Sequence, residues 1–279
     1  MKGDSMDSNV LTAFLFTMIA GLSTGIGSAI AFIAKKTNTK FLAVSLGFSG
    51  GVMIYISMIE IFPKAVEELS AGRDVKTGTI LTAVGFFLGM FMIALIDKLI
   101  PSEENPHEVK SIDDMSEEAL LRQEEDNKSK SLMRTGVFTA IAIAIHNFPE
   151  GLATFMAALN DPTLAIPIVI AIAIHNIPEG ISVSVPIFYA TGSRKKAFIY
   201  SFLSGLAEPL GALIGYMILL PFMSPVLQGM IFAATAGIMV FISIDELLPS
   251  AREYGEHHLS IYGFVAGMML MAFSLILFM

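Results

Sequence analysis

Residues 10–34, 41–64, 77–100, 135–159, 163–190, 197–220, 226–249 and 259–279 form eight mostly apolar stretches, each longer than 20 residues. A helix needs about 20 such residues to cross the roughly 30 Å hydrocarbon core of a bilayer. Within that core every backbone N–H and C=O must find its partner inside the protein, which leaves only helices and closed barrels. Runs of this length are helices. The chain is therefore predicted to be an all-α integral membrane protein, one transmembrane domain over 1–279 with eight transmembrane helices. Charged residues make up 15% of it, against about 25% in an ordinary soluble domain. That excludes a soluble enzyme, a disordered tail and a basic nucleic-acid binder. No cysteine is present, so there is no disulfide framework, thiolate zinc site or thiol nucleophile.

The charges between the stretches orient them. Of the 17 Lys and Arg residues, 13 fall at connections 1–2, 3–4, 5–6 and 7–8, and the other four are Lys2, Lys64, Arg73 and Lys76. Positive residues favour the cytoplasmic side, which places both termini outside the cytoplasm. The first stretch is too long for a signal peptide h-region and has Lys35 and Lys36 after it rather than before. The long connection 101–134 is then cytoplasmic. Between Pro101 and Met133 it holds ten acids and four bases, and so acidic and polar a segment is expected to be mobile, with a helical piece around Ser116–Glu125.

The chain also repeats itself. GLSTGIGSAIAF from Gly21 matches GLAEPLGALIGY from Gly205, an offset of 184. GGVMIYISMIEIFPKA from Gly50 matches AGIMVFISIDELLPSA from Ala236, an offset of 186, which pairs Met53 with Met239, Glu60 with Glu246 and Pro63 with Pro249. GFFLGMFMIAL from Gly85 matches GFVAGMMLMAF from Gly263, an offset of 178. Helices 1–3 thus correspond in order to helices 6–8, and an odd shift of five helices inverts the second copy. Inverted repeats are a recurrent plan of secondary transporters, with substrate held near the midplane between the halves. The central pair, helices 4 and 5, is expected to hold that site.

Helix 4 reads IAIAIHNFPEGLA from Ile141 and helix 5 reads IAIAIHNIPEGIS from Ile170. His146 and Glu150, like His175 and Glu179, stand four residues apart and share one helix face. Asn147 and Asn176 lie roughly 100° round from their histidines. Pro149 and Pro178 free the carbonyls of Ile145 and Ile174, since proline has no N–H to bond them. Helix 6 adds Glu208, with Pro209 freeing the carbonyl of Gly205. These carboxylates lie at membrane depth with no Lys or Arg near them in sequence. An acid at a helix centre costs about 2.5–3.5 kcal/mol, so three cost roughly 8–10 kcal/mol if ionised and unpaired. A divalent cation would offset that cost and explain the imidazoles and amides beside the acids. Imidazole, carboxylate and amide oxygen, with the Met53 thioether in reach, suit zinc, iron(II), manganese or cobalt rather than copper(I) or an all-oxygen magnesium cage. The bland reading is that these groups only join helices 4, 5 and 6 by hydrogen bonds.

HNFPEG and HNIPEG, 29 residues apart on consecutive helices, resemble the signature helices of the ZIP (Zrt-, Irt-like protein) divalent metal transporters, and the chain is most similar to their bacterial ZupT-like branch. The resemblance covers all eight spans. It implies uptake of a divalent metal (zinc, and also iron, manganese, cobalt or cadmium) into the cytoplasm through a midplane binuclear site. One metal position would use His146, Glu150, His175 and Glu179, with Met53 at its edge. The other would use Asn147, Asn176 and Glu208, with Glu150 and Glu179 bridging. The metal is cargo rather than a catalytic cofactor. The resemblance further implies a multi-pass protein of the bacterial inner membrane, in lipid, without a nucleic-acid partner and compatible with a homodimer, in which helices 1, 4, 5 and 6 move as a unit against 2, 3, 7 and 8. Two departures stand out. Many relatives carry a histidine-rich connection where this chain has His107 alone, and some carry Glu or Gln and Asp where it has His175 and Asn176.

Other polar residues keep two readings each. Glu60 and Asp245–Glu246 are entrance and exit carboxylates or ordinary interfacial acids, and Glu253, Glu256, His257 and His258 are a release site or a solvated turn. Beside transport stand two further functions, an intramembrane metalloenzyme and a metal sensor. The enzyme needs an open coordination position and a base outside the ligand set; the sequence has no HExxH and spends its acids as ligands.

Overall fold

The structure, a computed structural model, describes residues 2–29, 32–33, 38–99, 117–160, 162–219, 222, 224–253 and 257–277. Among these there is no β-strand. Helix α1 (Lys2–Ala29) is followed by α2 (Thr39–Ile56), which passes through a π-helical turn, Ser57–Ile61, into α3 (Phe62–Ser70). Then come α4 (Val75–Leu99), α5 (Glu117–Asn160) and α6 (Pro162–Thr191). α7 (Arg194–Gly205) and α8 (Ala207–Ile214) are separated by Leu206 alone, and α8 ends in a π-turn, Gly215–Leu219. α9 (Pro225–Ile242) passes through a third π-turn, Ser243–Leu247, into α10 (Leu248–Glu253), and α11 (His257–Leu277) completes the fold. Among the described residues six helical segments are long and apolar enough to cross a membrane: Asn9–Ala29, Thr39–Ser70, Val75–Lys98, Arg194–Ile218, Pro225–Arg252 and His258–Leu277.

Within the connection expected over 101–134, the helical piece anticipated around Ser116–Glu125 belongs to a longer helix. Residues 101–116 lie outside the described residues, but 117–134 are helical and run without a break into α5. EEALLRQEE is built of strong helix formers and has a helix waiting to be extended. α5 is consequently 44 residues, about 66 Å at 1.5 Å per residue.

Two of the π-turns have a local cause. A proline ring clashes with the carbonyl four residues before it, here Ile59 for Pro63 and Asp245 for Pro249. Widening the preceding turn relieves the clash while the helix continues. Each turn is anchored alike: Ser57 Oγ donates to the Met53 carbonyl at 2.6 Å and Ser243 Oγ to that of Met239 at 2.8 Å.

The helices form two bundles. α1, α5, α6, α7 and α8 pack on one another, as do α2, α3, α4, α9, α10 and α11. Within each, glycines let backbones touch. In the first, a Cβ built on Gly27 would lie 1.9 Å from the Ile177 carbonyl oxygen, one on Gly211 1.9 Å from that of Phe148, one on Gly151 2.0 Å from that of Glu208 and one on Gly180 2.2 Å from that of Thr24. In the second, the same construction puts Gly51 1.9 Å from Phe264, Gly237 2.0 Å from Phe86, Gly267 2.1 Å from Phe48 and Gly89 2.1 Å from Ala234, again at the carbonyl oxygen. Small residues at such crossings are how helices associate in lipid, where no hydrophobic force drives them together. Between the bundles the contact is different in kind. Leu42, Leu46, Val52, Met53 and Ile56 of α2, and Ile238 and Ile242 of α9, join Phe138 and Ile143 of α5 and Ile181, Val185 and Ile187 of α6 in one buried aliphatic cluster.

This difference is testable on adjacent residues. Gly51→Ala drives a methyl into the Phe264 backbone, whereas a Cβ on Gly50 has its nearest neighbour at 3.7 Å. Gly51→Ala is expected to cost at least about 1–3 kcal/mol, as overpacking does. Gly50→Ala is expected to be neutral or to stabilise, by up to about 1 kcal/mol, through helix propensity. Thermal unfolding in detergent, followed on the purified protein, checks the pair.

Candidate metal site

The polar residues of helices α5 and α6 meet at the heart of the first bundle. His146, Asn147, Asn176, Glu179 and Glu208 are fully buried, and Glu150 is half-buried. His146 Nε2 lies 2.9 Å from Glu179 Oε1, joining α5 to α6. Asn176 Nδ2 donates to Glu208 Oε1, joining α6 to α8, and also to the Ala20 carbonyl of α1 at 2.9 Å. Asn147 Nδ2 donates to the Ser204 carbonyl of α7 at 3.4 Å. The near contact of Gly151 with the Glu208 backbone is what brings α8 close enough for its carboxylate to reach α6. Met53 is fully buried on α2, and that helix touches α6 at the same level, where Ser49 Oγ donates to the Pro178 carbonyl at 2.7 Å. The side chain of His175 lies outside the described residues; its backbone sits in α6 one residue before Asn176.

The hydrogen bonds do not use up the site. Glu179 Oε2, Glu208 Oε2, Asn147 Oδ1 and Asn176 Oδ1 are buried and have no hydrogen-bond partner. A buried acceptor left unsatisfied costs about 1–3 kcal/mol, more when charged. Four oxygen acceptors, two of them on carboxylates, lie in segments without a Lys or Arg. Such a set is chemically suited to a cation stripped of its water.

The remaining acids are distributed more simply. Glu60 forms an ion pair with Lys64 on its own helix at 2.5 Å. Asp97, Asp245 and Glu246 present carboxylate oxygens within 4.8 Å of one another, beside Arg134. The sequence reading singled out Asp245–Glu246 and missed Asp97 and Arg134. One lies near the end of α4 and the other inside α5, where its apolar part begins, and a single acid and a single base 37 residues apart carry no signal of being neighbours. Of the last cluster, His258 is exposed and stacks on Tyr262 with ring centroids 6.2 Å apart; the side chains of Glu253, Glu256 and His257 lie outside the described residues. Asp74, before α4, accepts from Thr77 Oγ1 at 2.7 Å and Thr77 N at 3.0 Å, and these bonds hold its carboxyl below the usual range.

The family model of the ZIP zinc transporters matches residues 8–275. The chain belongs to this family. It is 63% identical over 284 residues to the zinc transporter ZupT of Clostridium perfringens (strain 13 / Type A), covering both chains in full. It is 64% identical over 273 residues to the zinc transporter ZupT of Streptococcus mutans serotype c, covering 98% of this chain and 100% of that one. Identity to the zinc transporter ZupT of Chlorobium chlorochromatii (strain CaD3) is 61% over 273 residues, with 98% and 100% covered. These relatives carry transporter names, not enzyme names. With its apolar helices, this ZIP protein is a multi-pass membrane protein.

Glu208→Gln tests whether the site is held at a cost. Glutamine keeps an oxygen for Asn176 and removes a carboxylate whose second oxygen has no partner. Without divalent metal the variant is expected to be as stable as the parent or more so, by about 1–3 kcal/mol. Unfolding measured in the presence of a chelator checks it.

Proposed function

We propose that this ZIP protein carries a divalent metal ion, zinc above all, into the cytoplasm through the buried site shared by α5, α6 and α8. The observation that carries the reading is the set of four buried oxygen acceptors without partners in a region free of Lys and Arg. His146, Glu150, His175 and Glu179, with Met53 at the edge, hold one metal. Asn147, Asn176 and Glu208 hold the second, with Glu150 and Glu179 bridging. Iron(II), manganese, cobalt and cadmium fit the same borderline donor set.

Eight spans follow if α5 and α6, of 44 and 30 residues, cross along with the six apolar segments. The inverted repeat is supported by contacts that recur at the sequence offsets. Gly27 against Ile177 and Gly211 against Phe148 differ by 184 and 29 positions, as do Thr24 against Gly180 and Glu208 against Gly151. Asn176 on the Ala20 carbonyl and Asn147 on that of Ser204 obey the same offsets. In the second bundle Gly51 against Phe264 mirrors Gly237 against Phe86 at 186 and 178. Glycine-locked bundles meeting at an aliphatic seam favour movement of one body against the other, with the metal travelling on α5 and α6. The distribution of Lys and Arg supports a topology with both termini outside the cytoplasm, and the membrane proposed is the bacterial inner membrane.

Zinc uptake by sealed vesicles containing the purified protein tests the function. Glu179→Ala is expected to lower uptake at least about tenfold, as loss of a charged ligand worth about 1.5–3 kcal/mol requires, with the protein still inserted. His175→Ala is expected to be milder, since water replaces a neutral ligand more readily than a charged one. Glu208→Gln is expected to lose one bound metal and keep the other, counted by elemental analysis. Parent-rate uptake by Glu179→Ala would overturn the assignment.

A further inference from the structure

On one face of the molecule the two bundles are joined by charge. Arg134, on α5, reaches across the seam to two carboxylates of the other bundle. Its Nη2 donates to Asp97 Oδ1 at the end of α4, and its Nη1 lies 3.5 Å from Glu246 Oε1 in the π-turn before α10. The next residue follows it: Thr135 Oγ1 donates to Glu246 Oε2 at 3.1 Å and stands 3.3 Å from Ser250 Oγ of α10. On the same side Tyr189 of α6 donates its hydroxyl to the Asn38 carbonyl, at the start of α2.

The corresponding carboxylate of the other half is treated differently. Glu60 occupies the π-turn position matching Glu246 but pairs with Lys64, one turn along its own helix. Its side chain is 31% exposed, against 6% for Glu246. One acid is satisfied within its bundle, and its mate is satisfied only when the bundles are together at this face.

We infer that Arg134 is a conformational latch, a cation on the moving bundle seated in the Asp97–Glu246 socket of the other, which holds this face of the seam shut and is released when the bundles shift. The inference rests on the two-body reading above. The degree of exposure suits a reversible catch. Water reaches Arg134 and Asp97, at 36% and 21% exposed, so their attraction is weakened by solvent. Glu246 has little water to replace the guanidinium, and leaving a buried carboxylate unpaired is unfavourable; that asymmetry returns the arginine to its seat. Asp245, which shares the socket's negative charge, adds to the pull.

The chain has no cysteine, so introduced thiols report without background. Thr135→Cys with Ser250→Cys places two thiols where the hydroxyls now approach to 3.3 Å. Oxidation is expected to cross-link them, stop zinc uptake into vesicles, and be undone by reductant. Adding Arg134→Gln is expected to slow cross-linking several-fold and to raise labelling of position 135 by a membrane-impermeant maleimide to a similar degree. Arg134→Lys, which keeps the charge but not the fork, is expected to fall between. Unchanged cross-linking and labelling in Arg134→Gln, in a protein that unfolds at the parent temperature, would overturn the latch. Cross-linked protein that still takes up zinc at the parent rate would instead overturn the two-body reading on which the latch rests.

Discussion

Direct contact between helix backbones, made at glycine, is the constraint from which the rest of this structure follows. A carbonyl oxygen that sits about where a methyl group would be leaves no room for sliding or tilting at that crossing. Because these crossings lie within each set of helices, two bodies form, each stiff for its own reasons. Lipid offers no hydrophobic gain for bringing apolar helices together, so close packing and interhelical hydrogen bonds must serve. The seam between the bodies has the opposite character. Leucine, isoleucine and valine side chains meet there without interlocking backbones, and the few polar contacts across it stand out.

The buried polar groups depend on that rigidity. Glu208 reaches Asn176 because Gly151 admits the α8 backbone, and Asn176 reaches Ala20 because Gly180 and Gly27 draw α1 in. Unsatisfied carboxylate and amide oxygens tend to separate or hydrate, and a looser bundle would let them. Here the packing holds them together in segments that contain no Lys or Arg, a disposition chemically suited to a cation. The charge is unevenly placed: α8 offers the buried carboxylate of Glu208, whereas α1 offers Thr24, buried and uncharged.

Much of this was legible in the residues. Apolar run lengths give the membrane class, and the HNxPEG stretches single out His146, Asn176 and Glu179, which the structure buries and pairs with one another or with Glu208. The helical piece expected around Ser116–Glu125 is longer in the structure, running on from Glu117 into α5, because Glu, Leu, Arg and Gln extend a helix as readily in water as in lipid. The Arg134–Asp97 contact was out of reach for a different reason. Its members are single charges, one near the end of α4 and one inside α5, and only the folding of these helices onto opposite bundles makes them face each other. The tie between His146 and Glu179 lies in between: the resemblance groups them in one metal position, and the structure brings His146 Nε2 directly to Glu179 Oε1.

The length of α5 has a mechanical consequence. From Glu117 to His146 no proline interrupts it, and a continuous helix is stiff along its axis. A displacement of the helix at His146 along its own axis is therefore carried undiminished to Glu117, 29 residues away.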